Sequence, residues 1–395
     1  MPRAKVSPLG TSLGLLWSLL LPAARAQEEP PPAPPPAEEA PATPPAPAEE
    51  EAPAPPTPEE ARREGHKDAY IEVLNDLLHD RTPRYYKQAG DWHARRGRRI
   101  EATTYYMLAY RIDPRQDVAA YEAAVQLAEA EQSRDLILAW LERAVKAGFW
   151  GAPALDDQAA FAPLREDPAF QALAARIHAA YLPAARAHAP PAVTVAPEGS
   201  PPATGWPVLV FLHGWGDNHW SYRDNAEEAA KLGWLGVAVA GTVPRTSDSF
   251  HWNEQAVEPT HRAVQAALQA EEKAGVKLDR ARVFLLGFSQ GATHAVRLVS
   301  DYPRDYAGAL PISCGGLPEL SAPREPERPR PVFAVWGKAE QEGNLKSMAR
   351  LAELWAAAKL PWQEHVHEGA HHFPEDWAEV HPRALKWLLE NAPPR

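Results

Sequence analysis

Arg282-Val-Phe-Leu-Leu286-Gly287-Phe288-Ser289-Gln290-Gly291 is the stretch on which the reading of this chain turns. The apolar run Val283–Leu286 predicts a buried strand, and Gln290–Ser300 has the spacing of a helix. Between them, Gly287-Phe-Ser-Gln-Gly291 fits the G-x-S-x-G pattern of a very tight strand-to-helix turn. Such a turn needs glycine where neighbouring backbones approach, and its strain lifts the serine hydroxyl above the sheet. A serine that merely caps a helix is the plain alternative. The strand before and the helix after favour Ser289 as a nucleophile.

Outward from this turn the same alternation continues. Apolar, strand-like runs occur at Val193–Ala196, Val208–Leu212, Leu235–Ala240, Ala309–Ile312, Val332–Trp336 and Trp362–His367. Amphipathic stretches at Tyr222–Leu232, Glu254–Lys273, Leu345–Ala358 and Trp377–Leu389 lie between and after them. Strands alternating with helices predict an α/β fold: a doubly wound, mainly parallel sheet with helices on both faces. Reactive groups are then expected at the carboxyl ends of the strands. One such end carries Phe211-Leu-His213-Gly214-Trp215-Gly216-Asp217, a glycine-rich turn able to aim backbone N–H groups at a developing oxyanion. The second donor in a G-x-S-x-G site is the N–H after the nucleophile. Trp215 and Gln290 are therefore the expected oxyanion pair, and His213 is expected to order the loop rather than do chemistry.

Leu212-His-Gly-Trp-Gly-Asp217 together with Gly287-Phe-Ser-Gln-Gly291 resembles the α/β-hydrolase superfamily, in its carboxylesterase/phospholipase-like branch with dienelactone-hydrolase-like neighbours. Leu310-Pro-Ile-Ser-Cys314-Gly-Gly-Leu-Pro318 is similar to that branch's strand and loop after the nucleophile helix. The resemblance covers about residues 191–395. It implies a nucleophile, an acid and a histidine in that chain order. The family's acid stands three residues past the glycine that ends the next strand, which here is Glu340 in Gly337-Lys-Ala-Glu340, with Glu342 as fallback. Relatives usually carry aspartate there. The histidine comes from His367-Glu-Gly-Ala-His371-His372-Phe373-Pro374. One family template places it at His371 and another at His372, and the Phe-Pro tail favours His371. The resemblance thus implies an ester-cleaving serine hydrolase with no cofactor. A peptidase or acyltransferase on the same residues is one rival. A non-catalytic scaffold with a relic hydrolase fold is another.

His367-Glu-Gly-Ala-His371 also fits H-E-x-x-H, but zinc chemistry on that motif needs both histidines on one helix face. A strand leads into it, Gly369 interrupts it and Pro374 follows, so no metal site is expected. Trp252 is a candidate for lining the acyl or alcohol pocket, with simple core packing as its alternative. Cys314 is expected in the core. The short connections after residue 191 leave no room for a large lid.

Residues 61–190 are expected to form a small helical domain. Tyr86, Ala89, Gly90, Ala102, Tyr106, Ala109 and Pro114 resemble one tetratricopeptide repeat. Tyr121, Ala124, Ala128, Leu141 and Ala144 resemble a weaker second copy, ended by Gly148. Such a unit either binds a protein partner or packs as a bundle on the next domain. Ahead of it, residues 27–60 hold 14 prolines and 9 glutamates and predict an extended, solvated tether. Residues 1–26 combine Arg3 and Lys5, the apolar Leu13–Leu21 and Ala24-Arg-Ala26, the layout of a secretory signal peptide. Export to a periplasm, cell envelope or medium is therefore expected. The apolar run is too short to span a bilayer. One cysteine in 395 residues excludes a disulfide framework, and a net charge of -11 argues against nucleic acid as a partner.

Overall fold

The computed structural model describes residues 81–315, 323–325, 327–328 and 330–393. The expected leader, the tether, the first residues of the helical domain and Leu317-Pro318 lie outside the described residues. In the remainder, helices α1 (Pro83–Ala94), α2 (Arg99–Ile112), α3 (Asp117–Glu129) and α4 (Arg134–Ala147) follow one another, each packed on the next. Gly90 of α1 allows the first pair to close, since a Cβ there would lie 2.6 Å from the Tyr106 ring of α2. Gly148 ends α4 in the left-handed conformation, φ 101°, which favours glycine. A short helix α5 (Ala152–Asp157), a 3-10 turn and the long α6 (Pro168–Ala187) complete the helical layer. Asp167 caps α6 by accepting the N–H groups of Ala169 and Phe170.

The chain then enters a seven-stranded sheet. Its strands are β1 (Val193–Val195), β2 (Trp206–Leu212), β3 (Leu235–Val239), β6 (Leu278–Phe288), β7 (Gly308–Ile312), β8 (Val332–Gly337) and β9 (Trp362–His367), in the order β1-β3-β2-β6-β7-β8-β9. Only β1 runs antiparallel, and all other pairings are parallel. The sheet is buried on both faces, so its inner strands read as continuous apolar runs rather than alternating ones. Val208, Val210 and Leu212 turn to the side of α8 (Glu258–Lys273), α9 (Gln290–Asp301) and α10 (Glu342–Ala357). Leu209 and Phe211 turn to the side of α7 (Arg223–Lys231) and α11 (Trp377–Asn391). Each such fully buried side chain contributes roughly 1.5–3 kcal/mol. Every predicted strand and helix of this region is present.

Several details differ from expectation; the helix expected from Glu254, for example, starts at Glu258. β6 begins at Leu278, earlier than its apolar stretch, because polar residues Asp279 and Arg280 continue the extended backbone. The helix expected from Leu345 starts at Glu342, where the first turn is polar. A two-stranded pair, β4 (Val243–Pro244) with β5 (Phe250–His251), lies between β3 and α8, where the sequence offered no strand-like run. With two residues in each strand, no period is long enough to register.

Candidate active site

β2, β6, β8 and β9 run parallel, so their carboxyl ends open along one edge of the sheet. Four loops leave that edge, and each carries a residue singled out above. At the end of β6, Ser289 adopts φ 52° and ψ -117°. A non-glycine residue at positive φ is strained, and such strain concentrates at functional sites. The flanking glycines are required by close approach. A Cβ on Gly287 would lie 2.2 Å from the Gly291 carbonyl oxygen, and one on Gly291 would lie 2.1 Å from that of Leu212. The second clash shows that the elbow is wedged against the end of β2.

The turn brings Ser289 Oγ to 2.9 Å from His371 Nε2. His371 Nδ1 lies 2.8 Å from Glu340 Oε2. The carboxylate can only accept, so Nδ1 carries the proton and Nε2 is left to accept from the serine hydroxyl. The Glu340 side chain has no solvent exposure. Burial pushes its carboxyl up, but bonds from His371, the Gln341 N–H and Asn344 outweigh this and hold it down at about 2. It is therefore a carboxylate at neutral pH. Its second oxygen accepts from Gln341 N at 2.9 Å and from Asn344 Nδ2 at 3.1 Å. Asn344 went unnoticed in the sequence. Its only signal is a spacing of four from Glu340, across the start of α10.

The alternates are not brought to the site. Glu342 is exposed and pairs with Lys346 at 2.7 Å. His372 turns back on its own loop: Nε2 accepts from Ala370 N at 3.1 Å and Nδ1 donates to the Phe373 carbonyl at 2.6 Å. Phe373 explains the choice between the histidines. It buries against Phe288, with ring centroids 5.5 Å apart, and the loop so anchored leaves His371 beside the Phe288 ring and Ser289. His371 and His367 do not share a helix face, since His367 ends β9. Among the described residues no group of three metal-ligating side chains converges.

The glycine-rich loop after β2 passes Ser289. A Cβ on Gly214 would sit 3.6 Å from Ser289 Cβ. Gln290 opens α9, so its N–H has no partner within the helix. The Trp215 N–H has no acceptor among the described residues. His213 is buried and neutral, pushed down to about 4 by burial. Its Nε2 accepts from Gly241 N at 2.8 Å, and Nδ1 bonds the Gly214 carbonyl at 2.7 Å. It orders the loop, as its position suggested.

Trp252 requires a correction. It is wholly buried and does not line an open pocket. Its indole N–H donates to the His213 carbonyl at 2.7 Å. Its backbone exchanges bonds with the Gln290 side chain, N to Oε1 at 2.9 Å and Nε2 to O at 3.2 Å. Trp252 thus links the loop after β2 to Gln290, the residue after Ser289. Cys314 is buried, as expected.

Residues 242–379 match the family described as phospholipase/carboxylesterase. Over these residues, about a third of its length, the chain is similar to that family. The matched span includes Ser289, Glu340 and His371. A curated protein of Nocardia uniformis subsp. tsuyamanensis, named "Putative esterase NocK", is 29% identical over 159 residues, which cover 39% of this chain. The match spans less than half of that relative, 44% of its length. Among solved structures, a Bacillus cereus carboxylesterase is similar with a TM-score of 0.42 and 21% identity, over 51% of this chain and 93% of its own. An uncharacterized protein from Bacillus cereus ATCC 10987 aligns over 81% of this chain and 99% of its own, at a TM-score of 0.41 and 17% identity.

Proposed function

We propose that the protein hydrolyses carboxylic esters through an acyl-enzyme on Ser289. The observation that carries this reading is the continuous chain Ser289–His371–Glu340, with links of 2.9 and 2.8 Å, at the carboxyl edge of the sheet. Ser289 Oγ attacks the acyl carbon while His371 Nε2 takes its proton. The negative charge that develops on the carbonyl oxygen is met by the free N–H groups of Trp215 and Gln290. His371 then gives the proton to the leaving alcohol. Water repeats the sequence and releases the acid. Glu340 holds the imidazole in the tautomer that this requires and stabilises its charged form. The expected leader belongs to the same reading: the chain is exported and its mature form begins at Gln27.

Ser289→Ala is expected to lower the hydrolysis of p-nitrophenyl acetate by at least about 10³. Turnover retained in that variant would remove the basis for the reading. N-terminal sequencing of exported protein should find Gln27 first, and a start at Met1 would contradict export through this leader.

A further inference from the structure

The helical layer does not merely adjoin the hydrolase; it grips one short loop of it, residue by residue. From the last residue of β4 towards β5, five consecutive residues, 244–248, are each met from the helical side. Tyr181 of α6 donates its hydroxyl to the Pro244 carbonyl at 3.1 Å. Asp157 pairs with the Arg245 guanidinium at 2.8 Å. Thr246 lies so close to Gly151 that a Cβ there would come within 2.7 Å of its methyl and 2.9 Å of the Arg245 carbonyl. The Ser247 hydroxyl donates to Asp117 of α3 at 3.2 Å, and its carbonyl accepts from His188 Nε2 at 2.8 Å. Asp248 pairs with Lys87 of α1 at 2.9 Å. Lys87 is itself largely buried and also bonds Asp91 at 2.9 Å. Burial opposes its charge, and the Asp248 and Asp91 carboxylates more than offset that.

The far side of the same loop holds the turn after β2. The Gly216 N–H donates to the Phe250 carbonyl at 2.8 Å, and the Phe250 N–H to the Asp217 carbonyl at 2.9 Å. Ser249 Oγ donates to the Gly216 carbonyl at 2.8 Å. The Arg245 guanidinium lies 4.2 Å over the Trp215 ring. Two residues further on, Trp252 pins His213. The backbone on both sides of Trp215 is thus fixed by residues 245–252, and residues 244–248 are fixed by the helices.

We propose that the helical layer is a positioning device for the hydrolase: by holding residues 244–248 it fixes the Trp215 N–H where the oxyanion forms. The occupant of this helical face is a segment of the same chain. The proposal rests on the esterase reading for its catalytic consequence, but not for its physical one. Lys87, Asp117, Asp157 and Tyr181 touch neither substrate nor Ser289 and act through the loop.

The test uses the full chain with Lys87→Met, which keeps length and removes charge, and Asp248→Asn, which keeps the acceptor to Thr246 and removes only the charge on the loop side. Hydrogen exchange is followed in residues 213–217 and 244–252, with the central strand 283–288 as internal reference. Turnover of p-nitrophenyl acetate is measured in parallel. Losing an oxyanion donor outright costs about 10²–10³ in rate. A donor that is loosened rather than lost should cost part of this, about tenfold in kcat with KM within about threefold. Exchange should rise in both loops and stay unchanged in 283–288. A folded variant in which exchange at 213–217 and kcat both match the parent would overturn the proposal. If Lys87→Met does not fold, Asp248→Asn decides alone. If the parent itself shows no ester turnover, the esterase reading fails while the exchange comparison still decides whether the helices hold the loop.

Discussion

Glu340 stands where the hydrolases that this region resembles usually carry aspartate, and its replacement tests the geometry most sharply. Its carboxylate sits 2.8 Å from His371 Nδ1. Glu340→Asp shortens the side chain by one methylene, about 1.5 Å. From the same Cα the carboxylate would withdraw to about 4.3 Å, beyond any hydrogen bond. The loop could follow only by releasing the Gln341 N–H and Asn344, which hold the other oxygen in place. A misplacement of about 1 Å in a catalytic array costs on the order of 10² in rate, close to 2.7 kcal/mol. Glu340→Gln keeps the shape, but its amide can donate to Nδ1 and select the wrong tautomer. That failure costs about 10⁴ in a serine triad. The assay is kcat/KM for p-nitrophenyl acetate, with circular dichroism as a check on folding. A folded Glu340→Gln protein within tenfold of the parent would refute the assigned role. The variant also carries a pH signature. Glu340 is held at about 2 in the folded chain against an ordinary value of 4.5, so its stabilisation is present above 4.5 and is lost as pH falls towards 2. The gap in thermal stability between parent and Glu340→Gln should therefore narrow as pH falls through that window.

Two further outcomes concern His372, beside the site, and Glu122, in the helical layer. His372→Ala should lower the melting temperature by releasing the 369–373 loop, yet retain at least a tenth of the parent's kcat, whereas His371→Ala should lose about 10³ or more; steady-state kinetics and a thermal melt on both proteins check this. Glu122 of α3 is pushed up to about 8, first by burial, with Lys87 pulling it down and Asp91 and Asp248 pushing it up. The unfolded chain ionises near 4.5 while the folded chain keeps its proton, so stability falls as pH rises from about 4.5 to about 8. Glu122→Gln should raise the melting temperature more at pH 8.5 than at pH 5, and an equal change at both would contradict this.

What the sequence disclosed follows a physical division. Strands buried on both faces need unbroken apolar runs, which is why Val208–Leu212 and Val283–Leu286 announce themselves. The elbow is legible because only glycine fits at 287 and 291. Glu340 and His371 are legible only through the resemblance, as offsets from Gly337 and from Phe373-Pro374, and the burial of Phe373 gives the Phe-Pro tail its physical meaning. Trp252 was misjudged because an indole's burial depends on what packs over it, which a position in a loop does not reveal. The grip on residues 244–248 could not be read at all. Its pairs are separated by 63 residues at Tyr181–Pro244 and by 130 at Asp117–Ser247, and no local period links them.

The single antiparallel strand has a practical consequence. Because β1 runs against its neighbours, it ends beside the start of β3, and the chain must turn through residues 196–205 before β2 begins. This exposed turn therefore lies at the edge of the sheet away from the serine. An affinity handle or a surface anchor grafted there would leave the reacting rim facing outward, with the grip on residues 244–248 intact.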